Sequence, residues 1–195
     1  AYVAGTNQDI TPIRSTDALV NAISTTTSSN IITITDTDHG AIQGDFVTLS
    51  SVSTAVAGIP AATLDAEYEI LSIANSDAYT IQSSATANAN TGPTANCTIN
   101  YQLNIGPSIQ TFGFGWGAGS WSASTWNTPR TTTTITLDAR LWSINNWGED
   151  LIITQKDGGT YEWDTSSGMT DNRATVVANA PTTSTLSLVS TETRH

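Results

Sequence analysis

The stretch Cys97-Thr98-Ile99-Asn100-Tyr101-Gln102-Leu103-Asn104-Ile105 alternates apolar and polar residues without a break. Successive side chains of an extended chain point to opposite faces, so five apolar residues fall on one side and four polar ones on the other. A helix would scatter the same residues around its axis. The period of two therefore predicts an antiparallel strand with one buried and one wet face. Segments upstream follow the same logic. Ile31-Ile32-Thr33-Ile34-Thr35 is β-branched throughout, and Phe46-Val47-Thr48-Leu49, Tyr68 to Ile73 and Tyr79-Thr80-Ile81 are short runs bounded by turn-forming residues. Five or six such strands within about 80 residues suit a small antiparallel sandwich, because strands this short need a partner sheet to bury their apolar face.

Composition points the same way. Of 195 residues, 35 are Thr and 21 are Ser, while Lys and Arg together number only 6. β-Branched Thr, Val and Ile are common and helix-favouring Glu, Lys, Arg and Leu are scarce, which argues for an all-β chain. The 17 acids set a net charge of −11. A binder that replaces phosphate counterions needs a basic face, so electrostatic nucleic-acid binding is excluded. A single cysteine, Cys97, forbids an internal disulfide, and with only His39 and His195 beside it a tetrahedral Cys/His zinc site is excluded too. No apolar run approaches the roughly 20 residues of a membrane helix, so membrane insertion is not expected. The start Ala1-Tyr2-Val3-Ala4-Gly5 has no signal-like segment, and with no initiator Met processing or trimming is expected.

Charge and aromatic residues divide the chain. No Lys or Arg occurs between Ser15 and Pro129, yet eight acids do: Asp17, Asp36, Asp38, Asp45, Asp65, Glu67, Glu69 and Asp77. All six Trp lie between Trp116 and Trp163. The blocks meet near Ile105-Gly106-Pro107 and predict three parts: residues 1–24 as an N-terminal segment, 25–105 as the sandwich, and 106–195 as a Trp/Gly-rich loop followed by β-hairpins. Within the first part, Ser15 to Ile23 reads as a short helix capped by Ser15 or Thr16, or nearly as well as a strand. Ser83 to Asn96 reads as a long exposed loop. In the last part, strand-like runs are Thr131 to Leu137, Leu141 to Ile144, Asp150 to Thr154, Gly159 to Trp163, Ala174 to Ala178 and Thr185 to Val189. Asn145-Asn146, Asp157-Gly158-Gly159 and Ser167-Gly168 read as turns between them. Asp-Gly between alternating runs is a hairpin signal, and tightly joined strands every 8–12 residues match propeller blades.

The chemistry on offer is sparse. His39-Gly40-Ala41-Ile42-Gln43-Gly44-Asp45 lies between two strands near Asp36 and Asp38. A Ser-His-Asp triad needs a nucleophile in reach of the imidazole and an oxyanion hole, and no Gly-x-Ser-x-Gly elbow is present. A structural turn, with His39, Gly40, Gly44 and Asp45 shaping the backbone, fits better. Asp36 and Asp38 would share one side of an extended chain, but Gly40 stands where a calcium loop needs an oxygen ligand. Glu149 and Asp150 are adjacent and would point apart, a poor pair for glycoside hydrolysis. No catalytic, cofactor-binding or metal-binding residues are assigned, and the chain is read as non-enzymatic. Trp116, Trp121, Trp126, Trp142, Trp147 and Trp163 either fill a core or subunit interface or expose rings on which sugars stack.

Several phrases together resemble one family. Asp9-Ile10-Thr11-Pro12-Ile13-Arg14 resembles the opening phrase of tail nozzle or tail tubular-type structural proteins of short-tailed bacteriophages. The run from His39-Gly40 through Gly44-Asp45-Phe46-Val47-Thr48-Leu49, followed by Ala57-Gly58-Ile59-Pro60, is similar to an insertion module of phage virion proteins. The Gly-Trp stretch, Arg140-Leu141-Trp142-Ser143-Ile144-Asn145-Asn146-Trp147-Gly148-Glu149-Asp150-Leu151-Ile152 and Gly158-Gly159-Thr160-Tyr161-Glu162-Trp163 resemble the part that follows. The resemblance covers most of the chain in order. It implies a virion protein of the tail, built on β-propeller blades with an inserted sandwich and assembled as a homo-oligomeric ring of six copies. Partners would be other tail proteins such as adaptor and fibres, with DNA only as transported cargo. Family members are several times longer, so the chain would be their N-terminal portion or one part of a tail protein split in two. A second reading from the Trp cluster is a carbohydrate-binding, host-attachment β-module, and a third, resting on scattered carboxylates alone, is an envelope-degrading hydrolase.

Overall fold

The structure, a computed structural model, describes residues 2–3, 5–105, 140–168 and 172–190. The chain divides into two compact units. One comprises Ala1–Asn104 with Trp142–His195, and the other is Ile105–Leu141, nearly all of it outside the described residues.

The first unit is all-β and antiparallel. Its strands are β1 (Tyr2–Val3), β2 (Thr6–Asn7), β3 (Ile13–Leu19), β4 (Ile23–Thr25), β5 (Ile31–Thr35), β6 (Phe46–Ser50), β7 (Glu67–Glu69), β8 (Ser72–Asn75), β9 (Ala78–Gln82), β10 (Thr91–Thr94), β11 (Cys97–Gln102), β12 (Trp142–Trp147), β13 (Asp150–Gln155), β14 (Thr160–Trp163) and β15 (Thr175–Val176). One turn of helix, α1 (Ala61–Leu64), interrupts them. β1 and β2 form a small hairpin, and three sheets follow in the orders β10-β4-β5-β9-β8, β3-β11-β6-β7 and β12-β13-β14-β15.

The first two of these sheets enclose one core. Alternation places Cys97, Ile99 and Tyr101 of β11 inward, in one core with Ile23, Ile32, Ile34, Tyr79 and Ile81 of the other sheet, and Leu49 and Val47 of β6 stand beside Ile99 and Tyr101. Each fully buried Ile contributes roughly 1.5–3 kcal/mol of apolar burial, and seven of them (Ile23, Ile32, Ile34, Ile59, Ile70, Ile81 and Ile99) are 0 % exposed. The polar half of the alternation faces out: Thr16 opposite Asn100, and Asn100 opposite Thr48.

Ser15 to Ile23 does not form a helix. Ile13–Leu19 pairs with β11, and Ile23–Thr25 pairs with β5 in the other sheet. A strand with a ready partner bonds its backbone across the sheet, and this outweighs a weak capping signal. Residues 13–25, placed largely ahead of the sandwich by sequence, thus supply a strand to each of its sheets. The run Tyr68 to Ile73 is likewise two strands in different sheets, with the chain crossing at the buried Ile70. Ser83 to Asn96 is more ordered than an exposed loop. It contains β10, and Ser83, Ala87 and Ala95 are buried.

The third sheet is a meander in which spatial order equals chain order. Trp142 to Trp147 is continuous strand, so Asn145-Asn146 is no turn. The reversal falls at Gly148-Glu149, with Gly148 at φ 72°. Asp157, at φ 60°, turns β13 into β14, and the Gly158 N–H donates to the Gln155 carbonyl. Ile153, Tyr161, Trp163 and Ala174 form a smaller core that takes in Ile10 and Leu103. Residues 185–190 are not a strand. They are held to the opposite face of the sheet by Ser187, whose carbonyl accepts hydrogen bonds from the Ser143 hydroxyl (2.9 Å) and the Asn145 amide (2.8 Å).

Candidate functional site

The polar residues singled out in the sequence gather at one end of the sandwich, on the 36–45 segment joining β5 to β6. Gly40 and Gly44 stand at φ 59° and 86°, backbone conformations that a side chain would strain. Asp45 is buried. It accepts from the Ile42 N–H (2.9 Å) and from Asn104 Nδ2 (2.6 Å), closing the turn and tying it to the chain beyond β11.

His39 is also buried, and both its ring nitrogens meet backbone groups. Nδ1 accepts from the Ala41 N–H (3.0 Å), which leaves Nε2 as the donor to the Asn75 carbonyl (3.2 Å). An imidazole so committed has no free position from which to accept a proton from a nucleophile. Its ring packs edge-on against Tyr79, with centroids 5.0 Å apart.

Tyr79 continues to Tyr101 (6.1 Å, edge-on), and the Tyr101 hydroxyl donates to Asp36 Oδ2 at 2.6 Å, with the Tyr79 hydroxyl 3.2 Å away. Asp36 thus points inward, while Asp38, at φ 53°, is exposed. The two do not share a face, and a paired-carboxylate cation site is not formed. Burial above all, and then Tyr79 and Asp36, push the Tyr101 phenol far above its ordinary value. Burial does the same to Tyr79, opposed by the Tyr101 hydrogen bond. Both hydroxyls stay protonated. Arg14 completes the cluster. Ser15 opposes Tyr101 and Ile13 opposes Gln102, so Arg14 is the extra residue of a β-bulge. The bulge turns its guanidinium over the Tyr101 ring (5.1 Å to the centroid) and lets Nη2 donate to the His39 carbonyl (3.1 Å). A cation over a phenol face contributes about 0.5–2 kcal/mol.

A second polar cluster joins the third sheet to the sandwich, and the sequence held little hint of it. Arg173 Nη2 bonds Glu67 Oε2 at 2.7 Å, and Nη1 lies 2.9 Å from Asp9 Oδ2 at an angle too poor for a hydrogen bond. Gln102, buried although its place in the alternation should face water, donates to the same Glu67 oxygen. Burial works to raise the Asp9 carboxyl. Hydrogen bonds from Thr11 and the Arg173 charge outweigh it and hold the group below the ordinary carboxylate value. Beside this cluster, the Ile13 N–H donates to the Ala174 carbonyl (2.9 Å). Arg173 stands 106 positions from Glu67, and no local pattern could have joined them.

Of the six tryptophans, Trp116, Trp121 and Trp126 lie outside the described residues. Trp163 is buried, with Nε1 donating to the Asn172 carbonyl (3.0 Å), and Trp142 and Trp147 are half-buried. Glu149 is exposed, and Asp150 accepts from the Thr165 N–H and hydroxyl, both at 2.8 Å. Among the described residues no group of three or more His, Cys, Asp and Glu is placed to hold a metal ion, and no helix is long and apolar enough to cross a membrane.

No protein-family model and no curated protein matches this chain. Among solved structures it is similar in part to Phage phi92 endosialidase, at 11 % sequence identity and a TM-score of 0.38. The alignment covers 84 % of this chain and 24 % of that one, so the chain spans about a quarter of its length.

Proposed function

We propose that this chain is a non-enzymatic structural component of a bacteriophage tail. It would be a nozzle-like virion protein that assembles as a homo-oligomeric ring of six copies and, with other tail proteins, extends the channel through which DNA is ejected. The observation that carries the reading is the third sheet. A propeller blade is a four-stranded antiparallel meander, and β12-β13-β14-β15 has that connectivity in that strand count. It stands where the ordered sequence phrases lead one to expect propeller segments after an inserted sandwich.

Two further features support a structural role. His39, Asp36 and Asp45, the groups with most chemical potential, are engaged in holding the 36–45 turn and the sandwich core. An acidic, hydroxyl-rich chain is also suited to a conduit for DNA, since its six Lys and Arg against 17 acids give phosphate few cationic anchors. The carbohydrate-binding reading gains nothing from Trp163, whose ring is buried and hydrogen-bonded, or from the half-buried Trp142 and Trp147.

Native mass spectrometry of the purified protein and electron microscopy of virions labelled with an antibody against it test this directly. A closed ring and label at the tail tip are expected. A persistent monomer absent from virions would overturn the reading.

A further inference from the structure

The five strands of the larger sandwich sheet, β10, β4, β5, β9 and β8, contain no charged residue, in a chain of net charge −11. The facing sheet carries Arg14, Asp17, Glu67 and Glu69 in its strands. Across the outer side of the uncharged sheet runs a row of hydroxyls: Ser24 opposite Thr33, Thr33 opposite Thr80, and Thr80 opposite Ser72. The Ser72 and Thr80 hydroxyls are 2.7 Å apart.

One edge of that sheet is also left open. An edge strand offers unpaired N–H and C=O groups, and sheets ordinarily blunt it with proline, charge, shortness or a covering segment. Here β10 carries Pro93, β7 is three residues with two Glu, the start of β3 is covered by Ala174, and β15 is two residues long. β8 carries no proline, charge or covering segment among the described residues, although its register slips between Ile73 and Asn75 and the Asn75 carbonyl is taken by His39. All four of its residues are exposed. Ile73 pairs with Tyr79 on the core side of the sheet, yet it hangs beyond the core and is 38 % exposed. β12 also lacks a blunting device, but it begins close after residues outside the described set, whereas β8 is described on both flanks.

We infer that β8 and the uncharged face beside it form the surface on which a second copy of this chain docks, the neighbour adding a strand to the open edge. The inference rests on the homo-oligomeric reading above and names its surface. Two chains of charge −11 repel one another, and contact is least opposed where both sides are neutral. A polyanion or a basic protein gains nothing from a face without charge. Another strand gains directional main-chain hydrogen bonds and covers Ile73.

The test is sedimentation and native mass spectrometry of the full chain across a wide concentration range, with Ile73→Lys and the control Phe46→Lys. Phe46 is 41 % exposed, on the sheet that carries the charges. The wild type self-associates, Ile73→Lys weakens association at least about tenfold, as for one charge forced into an interface, and Phe46→Lys leaves it unchanged. Hydrogen exchange on the wild type supplies a readout that needs no variant, since amides 72–75 gain protection as concentration rises. If the wild type associates while Ile73→Lys associates equally and amides 72–75 exchange freely, the surface is wrong and the oligomer reading stands. A wild type that stays monomeric overturns both. If circular dichroism shows Ile73→Lys unfolded, the exchange measurement alone decides.

Discussion

Replacing Tyr101 by Phe removes one oxygen from the middle of the sandwich and leaves the ring in place. That oxygen donates to Asp36 at 2.6 Å and lies 3.2 Å from the Tyr79 hydroxyl, and Tyr101 and Tyr79 are both 0 % exposed. The Asp36 carboxyl, itself buried, loses the Tyr101 hydroxyl that donates to it. Leaving such a group without its donor costs about 2 kcal/mol, at the upper end for a hydrogen bond and short of removing a buried charge pair. Urea unfolding followed by circular dichroism reads this as a fall in midpoint of about 1 M, for a slope near 2 kcal/mol per molar. The double mutant with Asp36→Ala is less destabilised than the sum of the two single mutants by at least about 1 kcal/mol, because each single change already abolishes the shared bond. A loss below about 0.5 kcal/mol for Tyr101→Phe, or strict additivity in the cycle, would show that the cluster contributes shape alone, and the account of this end of the core would be wrong.

Arg173→Gln removes the charge facing Asp9 and Glu67. It lowers the protection of β14 and β15 amides in hydrogen exchange while β5 and β9 keep theirs, and equal loss in all four strands would refute a local fastening. Burial pushes the Cys97 thiol up from 9.0 to about 11, helped by Asp36 and Asp65. The folded chain therefore keeps a proton that the unfolded chain has released, and stability falls as pH rises from about 9 to about 11, with Tyr68, Tyr79, Tyr101 and Tyr161 adding to the trend in the same direction. Cys97→Ala flattens part of that slope in urea titrations at stepped pH, and an unchanged slope would assign the alkaline loss to the tyrosines alone. At neutral pH a disulfide reagent labels Cys97 only as fast as the sandwich opens, and rapid stoichiometric labelling of the native protein would contradict its burial.

The strands whose faces differ were legible from sequence. Cys97 to Gln102, Ile31 to Thr35 and Phe46 to Leu49 each alternate or are uniformly β-branched, so burial and propensity pointed to one answer. In the 36–45 segment Gly40 and Gly44 take positive φ, which glycine adopts without the strain a side chain would bring. What escaped reading depended on partners far along the chain. Ile13 to Leu19 is a strand because β11 lies beside it, and Thr91-Gly92-Pro93-Thr94 is tolerated as one because it sits at a sheet edge where a missing N–H is harmless. Leu103 and Asn104 continue the alternation past the end of β11 and serve instead as packing against the smaller core of the third sheet and as a clasp on Asp45. Arg173 had no signal at all, because a lone cation near a chain end looks like any solvated charge.

β11 occupies an interior position in its sheet, between β3 and β6, yet it is the last strand of the sandwich to be made. Leu19 waits 78 positions for Cys97, since 97 − 19 = 78. Chains dominated by such distant pairings fold slowly, because loop closure precedes any reward from the contact. During synthesis β3, β6 and β7 emerge with two facing edges and a gap between them, and the gap stays open until residues 97–102 leave the ribosome. The segment that reveals the fold on paper is thus the keystone in time as well. A ribosome paused before Cys97 holds a nascent chain with its hydrophobic interior unsealed, and one paused well beyond it holds a finished module.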